Sequence, residues 1–385
     1  MAYSSALGTS IDPADISIPA GLLPHDGRFG SGPSKVRAEQ LDALVALNPG
    51  YLGTSHRQSP VKKHVAHLRS GLRELFALPD GYEVILGNGG STAFWDAATF
   101  GLIEQSAQFA SFGEFGAKFA SAASAAPHLG PQTVRKSEPG SAAYFETQTG
   151  IDAYCSPHNE TSTGVAISPT RVPNSGDALI LIDATSAAAA LPVDLSQVDA
   201  YYFGPQKAFG ADGGLWVALM SPAALERIAR INASGRWTPA FLDLQIAVDN
   251  SRLEQTYNTP ALATIALMAN QVDWFLSQGG MEWSTGRSAE SSALLYEWAE
   301  SRQWAAPFVT DPAERSAVVV TIDLDERLSV DTISAVLRRH GIVDVDSYRK
   351  LGRNQLRVAV FPAVEPDDVR AFTECVDFIV DAMSA

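Results

Sequence analysis

Short runs of apolar residues recur through the first 220 positions of the chain, at 83–86, 108–111, 164–168, 178–182, 200–203 and 214–220. Each is too brief for a helix and long enough for a strand. Helical or loop segments separate most of them. The stretch 61–76 sets Val61, Val65, Leu68, Leu72 and Leu75 on one face, and another helix opens at Ser91. Strands alternating with helices predict an α/β fold, a mainly parallel sheet with helices on both faces.

The pattern resets after the turn TYNTP at 256–260. A long helix is expected over 262–276, then a strand at 317–324, a helix at 330–340, a strand at 355–361 and a terminal helix over 365–382. Pro366 stands near the first turn of that last helix, and Val369, Phe372, Val376 and Ile379 line its inner face. Prolines 13, 19 and 24 mark an extended arm at the start. The expected organisation is an N-terminal arm over 1–30 packing with the small domain, a large domain over 31–275 and a small α/β domain over 276–385.

The net charge of −15, with no block of lysine or arginine, argues against a nucleic-acid partner, which needs a basic face. An anionic substrate must then be held by a few focused cations and amide groups. Cys155 and Cys375 make no disulfide framework and no CxxC. The start, MAYSSALGTS, has no basic or apolar signal region, and no apolar run approaches a membrane span. The expectation is a soluble, cytoplasmic protein with no membrane partner.

Open α/β sheets bind ligands where strands end, and the polar motifs of this chain fall there. Lys207 lies in YYFGPQKAFGADGG (201–214), just after an apolar run. A lysine among small and apolar residues can form a Schiff base with an aldehyde. Asp183 ends the run ALILIDATS (178–186), where a carboxylate can pair with a protonated pyridine nitrogen. Together they meet the requirements of pyridoxal phosphate chemistry, although a turn-capping aspartate and a surface lysine would read the same way in isolation. GNGGST (87–92), between a strand and a helix, is a phosphate cup by mechanism or a plain turn. SPHNETSTG (156–164) is a polar cluster suited to a ring hydroxyl or a phosphate, or an ordinary loop. His64 and His67 share a helix face, but no third metal ligand accompanies them.

The order GNGGST, HNETSTG, LIDATS, FGPQKAFG and YNTP, preceded by FGSGPSKV and LGTSHRQSP, resembles the phosphoserine aminotransferase family. The similarity runs from about Phe29 to the end and is weakest over 279–316. It implies a class V, fold type I pyridoxal phosphate enzyme, with a mainly parallel seven-stranded sheet in the large domain. It also implies that Lys207 is the Schiff-base lysine and Asp183 the partner of the pyridine nitrogen. Thr161 would bond the ring hydroxyl, and Gly90, Ser91, Thr92 and Gln206 would hold the cofactor phosphate. Phe115 falls where the family has a stacking tryptophan. Asn258 and Thr259 would reach the phosphate from a neighbouring subunit, which implies a homodimer with shared sites.

The same resemblance implies an amino transfer between glutamate and 3-phosphohydroxypyruvate, with 4-phosphohydroxythreonine as a further substrate it allows. Arg357 would clamp the substrate carboxylate by bidentate geometry, and His56 and Arg57 match a phosphate-reading pair. Two departures stand out. The cup reads Ser91-Thr92 where some members carry arginine. Tyr348 and Arg349 occupy the place of a second His-Arg pair, in a longer loop, so Arg349, Lys350 and Arg353 are all candidates for the substrate phosphate. An alanine–glyoxylate type aminotransferase and a non-catalytic relic of the fold are the alternatives.

Overall fold

The computed structural model describes residues 15–384 of the 385-residue chain. The strands of the first part are β1 (Glu83–Asn88), β2 (Ala107–Ser111), β3 (Thr133–Lys136), β4 (Ala153–Pro157), β5 (Asn159–Glu160), β6 (Val165–Ala166), β7 (Leu179–Asp183), β8 (Ala200–Phe203) and β9 (Leu215–Met220). Seven of them form one sheet in the order β1-β9-β8-β7-β4-β2-β3. From β8 to β3 all neighbours are parallel, whereas β9 runs antiparallel to both β8 and β1. The sheet is thus mainly parallel, as the strand–helix alternation predicts.

Every residue of β2, β4, β7, β8 and β9 is buried, because both faces are covered. Side chains alternate between two cores. Ile180, Ile182, Tyr201, Phe203 and Val217 pack with Val61, Val65, Leu68 and Leu72 of the helix Ser59–Leu75 and with the helix Leu262–Gln278. Leu179, Leu181, Tyr202, Trp216 and Ala218 point the other way, against Phe94 and Trp95 of the helix Ser91–Gly101 and Phe119 of the helix Glu114–Ala125. Cys155 belongs to this second core.

A separate antiparallel sheet, β10 (Ala305–Pro307), β11 (Val319–Leu324) and β12 (Gln355–Ala359), stands in that order. The helices Val330–Arg339 and Pro366–Ser384 cover it, and Val369, Phe372, Val376 and Ile379 line its core as the apolar spacing predicts. Residues 1–14 of the expected arm lie outside the described residues. Ile16, Ile18 and Phe29 pack into this core, and Gly27 and Phe29 carbonyls accept from Val343 (2.8 Å) and Ala359 (3.0 Å) amides. Cys375 is buried here, its thiol directed at the Leu22 carbonyl, 3.3 Å away.

One expected strand is corrected. The stretch 164–168 yields only Val165–Ala166, paired with Asn159–Glu160 in a small hairpin of its own. Gly164 causes this. Its φ of +73° turns the chain, and a Cβ there would lie 2.6 Å from Thr321 Oγ1. Among elements without a clear sequence signal, the helix Gly280–Glu300 buries Ser284, Ser288, Ser291 and Ser292, so no apolar stripe announces it. Central strand β4, AYCSP, is short and ends at proline. His64 packs edge-on against Tyr51, and His67 bonds Asp273 at 2.8 Å.

The segment after β8 is held from behind by Gln40, which is fully buried. Its amide nitrogen contacts the carbonyls of Phe209 (3.1 Å), Gly210 (3.0 Å) and Leu267 (2.9 Å), and its oxygen accepts from the Arg37 amide (2.9 Å). Gln40→Leu keeps the volume and strands these groups. It should lower apo-protein stability by about 1–3 kcal/mol, read as a lower urea midpoint at unchanged slope. An unchanged midpoint would show that the carbonyls find other donors.

Candidate functional site

Strands β4 and β7 pair in register to their last residues, Pro157 opposite Asp183. The polar segments that follow β4, β7 and β8 therefore leave the sheet at one edge. There they enclose a cavity of about 590 Å³ whose wall includes Gly90, Ser91, Thr92, Phe115, Thr161, Asp183, Gln206 and Lys207. Eight residues singled out from separate motifs thus meet around one space.

Lys207 is buried, and its Nζ donates to the carbonyl of Ser31. The loop carrying Ser31 is clasped to the lysine segment: the Ser34 amide bonds the Gln206 carbonyl at 2.9 Å, and the Ser34 hydroxyl bonds the Lys207 carbonyl. Gly32 makes this approach possible, since a Cβ at its φ of +138° would overlap the lysine amine. Burial, and then the positive Arg357, bring the Lys207 amine down to about 8, against the opposing pull of Asp183 and Glu160.

Asp183 is held by three donors. Its Oδ2 accepts from Trp95 Nε1 (2.9 Å), and its Oδ1 accepts from the amide (2.9 Å) and hydroxyl (2.5 Å) of Thr185. Burial raises the carboxyl above its usual range, and these donors act against that rise. Because Thr185 gives its proton to Asp183, Ser91 must donate in the 2.5 Å contact between Ser91 and Thr185 hydroxyls. The helix Ser91–Gly101 has no side-chain cap at Gly90, so its first amides face the cavity as an anion cup.

Thr161 donates to the Ser186 hydroxyl (2.9 Å), which also takes the Asn159 side-chain amide (2.8 Å). Buried Asn159 Oδ1 and Gln206 Oε1 have no donor among the described residues. Phe115 presents its ring to the cavity and to Tyr348, 6.5 Å away. Arg357 rises from β12, donates to the Thr161 carbonyl at 3.3 Å, and lies with its guanidinium 5.4 Å from the Tyr348 ring centre. Its Nε is buried without a partner among the described residues, and burial lowers its affinity for its proton.

Arg357 also lines an adjoining cavity of about 560 Å³, together with Arg349, and Gly32 and Pro33 border both spaces. Of the other two cations in that loop, Arg353 is committed to Asp323 and Lys350 to Glu114. Arg349 has no ion pair among the described residues.

Four expected residues lie elsewhere. His56, Arg57, Asn258 and Thr259 border neither cavity. The Asn258 amide donates to Asn88 Oδ1 (3.2 Å), the Thr259 carbonyl accepts from Asn88 Nδ2 (3.1 Å), and Thr259 Oγ1 stands 3.3 Å from His56 Nδ1. The four thus cluster beside the glycine-rich loop.

Trp95, Thr185, Ser186, Glu160 and Ser31 were not singled out from the sequence. Trp95 follows Ser91 by one helical turn, a spacing that puts both on the same face. Thr185 and Ser186 sit inside the motif LIDATS, where only the aspartate drew notice.

The chain matches the aminotransferase class-V family over residues 133–346. It is 58% identical over 366 residues to a phosphoserine aminotransferase of Rhodococcus jostii, covering 95% of this chain and 98% of that one. A phosphoserine aminotransferase of Rhodococcus opacus is 57% identical over the same shares. Among solved structures, a phosphoserine aminotransferase from Cytophaga hutchinsonii superposes with a TM-score of 0.84 at 21% identity, over 91% of this chain and 99% of that one. At that identity the likeness speaks for the fold.

The lysine geometry has a direct consequence in the cofactor-free protein. An amine-directed reagent should modify Lys207 with a pH midpoint near 8, whereas surface lysines titrate near ~10.4. Peptide mapping across a pH series gives the two curves separately. A Lys207 curve that coincides with the others would mean that its amine is solvated and carries no burial penalty.

Proposed function

The chain belongs to the class-V aminotransferase family, and we propose that it is a phosphoserine aminotransferase. It moves an amino group between glutamate and 3-phosphohydroxypyruvate, giving O-phosphoserine, with pyridoxal 5′-phosphate as cofactor. The observation that carries this reading is a buried amine and a buried carboxylate in the wall of one cavity, Lys207 and Asp183.

The cavity fits that cofactor chemically. A carboxyl whose proton affinity is raised by burial calls for a cation, and a protonated pyridine nitrogen is one. An uncapped helix start calls for an anion, and a phosphate is one. The acceptor left open on Asn159 calls for a donor, and a ring hydroxyl is one. In this reading Lys207 is the covalent anchor and Asp183 keeps the ring nitrogen protonated. Gly90, Ser91, Thr92 and Gln206 hold the phosphate, Thr161 takes the ring hydroxyl, and Phe115 covers the ring face. The bound group supplies an electron sink for charge developing at the substrate Cα.

The chain's own residues do the rest. Lys207 Nζ, near neutrality in its free state, takes the proton from Cα of the amino donor and later returns one to Cα of the product. Arg357 clamps the carboxylate common to both substrates through two parallel hydrogen bonds. Arg349, beside it and without an ion pair among the described residues, reads the substrate phosphate, whereas Lys350 and Arg353 already have carboxylate partners. Kinetics should be ping-pong.

The working unit is a homodimer. Thr259 and His56 touch, so if Asn258 and Thr259 reach the cofactor phosphate of a second copy, His56 and Arg57 travel with them to the same site. The arm 1–30, a large domain 31–275 and a small domain 276–385 complete the organisation. No helix among the described residues is long and apolar enough to cross a membrane, which suits a cytoplasmic enzyme of serine synthesis, and 4-phosphohydroxythreonine would extend its role to vitamin B6.

An acceptor panel tests the activity. Phosphohydroxypyruvate should be used and hydroxypyruvate or glyoxylate only weakly; equal use of the three would favour an alanine–glyoxylate type enzyme, and a colourless protein that binds no cofactor would leave only the fold. Arg349→Ala and Arg57→Ala should each raise KM for the phosphorylated acceptor roughly 10- to 150-fold, the value of a charge-assisted contact, with glutamate KM nearly unchanged. Arg357→Ala should harm both half-reactions. If Arg349→Ala affects glutamate equally, the phosphate reader lies elsewhere.

The shared site has its own test. Inactive Lys207→Ala protein, mixed and re-assembled with inactive Asn258→Ala,Thr259→Ala protein, should regain activity in heterodimers. Full activity of a monomer by sedimentation would sink the shared-site reading.

A further inference from the structure

Glu160 is a fully buried carboxylate that the proposed chemistry does not use. Four donors converge on it. Its Oε2 accepts the backbone amides of Phe115 (3.0 Å) and Gly116 (3.1 Å), and its Oε1 accepts the amide (3.2 Å) and hydroxyl (2.6 Å) of Ser162. Three of the four contacts are backbone amides, which can only donate into the carboxylate. The group therefore sits as an anion at the start of the helix Glu114–Ala125, where the orphan amides and the helix dipole favour negative charge. Gly113 leaves room for it, since a Cβ there would overlap the Glu160 side chain.

Three parts of the site hang from this point. Phe115, whose ring lines the cavity, is fixed by its own amide on Glu160. Thr161, the next residue, turns its carbonyl to Arg357. Glu114, whose amide bonds Ser162 Oγ at 3.0 Å, extends its side chain to Lys350 in the loop that carries Tyr348 and Arg349. A helix cap alone would not need to reach both the ring face and the carboxylate arginine.

We propose that Glu160 is a positioning residue, which sets Phe115 against the cofactor ring and Arg357 against the substrate carboxylate. This rests on the reading of Lys207 and Phe115 given above. The charged and titratable groups around it are Lys207, Arg357, Asp183, Glu114, Tyr348 and the buried, neutral His158. Burial pushes the Glu160 carboxyl up, the Ser162 hydroxyl and the Gly116 and Ser162 amides oppose that rise, and the negative Asp183 adds to it. Of these groups, Asp183 and Glu160 are the anions acting on Lys207, and both support its protonated form.

Glu160→Gln keeps the shape and removes the charge. In the cofactor-free protein, the pH midpoint for chemical modification of Lys207 should fall, because one of the two anions that raise it is gone. In the loaded protein, the visible circular dichroism of the cofactor should drop and KM for glutamate should rise about 10-fold, and Glu160→Asp should recover part of the Lys207 midpoint. If Glu160→Gln does not fold, Ser162→Ala, which removes the hydroxyl donor but leaves the charge, should still weaken the visible dichroism. A folded Glu160→Gln with wild-type midpoint and dichroism, or an unchanged dichroism in Ser162→Ala, would reduce Glu160 to a helix cap. Borohydride labelling of the wild-type holoenzyme separates the two levels: cofactor on Lys207 with an indifferent Glu160 refutes only this proposal, whereas a label elsewhere refutes the site itself.

Discussion

A carboxylate at the end of a buried central strand is costly, because the charge has lost its water. Asp183 is in that position, and much of the site can be understood as the response to it. The indole of Trp95 and two donors of Thr185 replace part of the hydration. Thr185 in turn draws Ser91 into place at the start of the anion cup. These neutral donors do not supply the counter-charge, and burial still outweighs them. The cation in view is Lys207, itself weakened by burial and by Arg357. A chain that maintains such a tension invites a third, positively charged group between the two, and a pyridinium meets that demand.

The charges near the cavity alternate in a way that bulk composition hides. The chain carries a net charge of −15, yet Arg357 and Arg349 border one cavity and Lys207 lies in the wall of its neighbour. Two inward anions, Asp183 and Glu160, support the lysine and already accept from three and four protein donors. The arginine that would meet substrate is less engaged: the Nε of Arg357 is buried with no partner among the described residues. An anionic substrate therefore meets unsatisfied positive groups while the negative ones are already engaged. That local asymmetry, and not the overall charge, governs what the site attracts.

The architecture was legible from sequence where strands are apolar throughout and helices carry a stripe. It was not legible in the helix Gly280–Glu300, whose inward face is serine, or in β4, whose five residues end in proline. The stretch 164–168 misled for a related reason. Its composition suits a strand, but Gly164 turns the chain into the hairpin that carries Thr161 to the cavity. The eight cavity residues were legible because ligand chemistry demands particular residue types at strand ends. Trp95 and Glu160 were not, since their contacts with Asp183 and Phe115 are ones that only the fold brings about. His56 and Arg57 were readable as a motif but not as a location.

Phe115 and Trp95 together show why single motifs underdetermine such a site. The phenyl ring at 115 gives an apolar face but no polar donor, where the family resemblance leads one to expect an indole. An indole does occur nearby, at Trp95, but its N–H is spent on Asp183. The apolar face on the cavity and the indole donor to the carboxylate are thus divided between two helices. Phe115 lies at the start of Glu114–Ala125 and Trp95 one turn into Ser91–Gly101. Both helices pack against the same sheet face, through Phe119 and Phe94 on Tyr202. Tyr202 pairs in register with Asp183 across β7 and β8. The aromatic packing beneath the sheet therefore fixes the spacing between the ring face and the carboxylate, so the core on that side is part of the site's geometry as much as the residues that line the cavity.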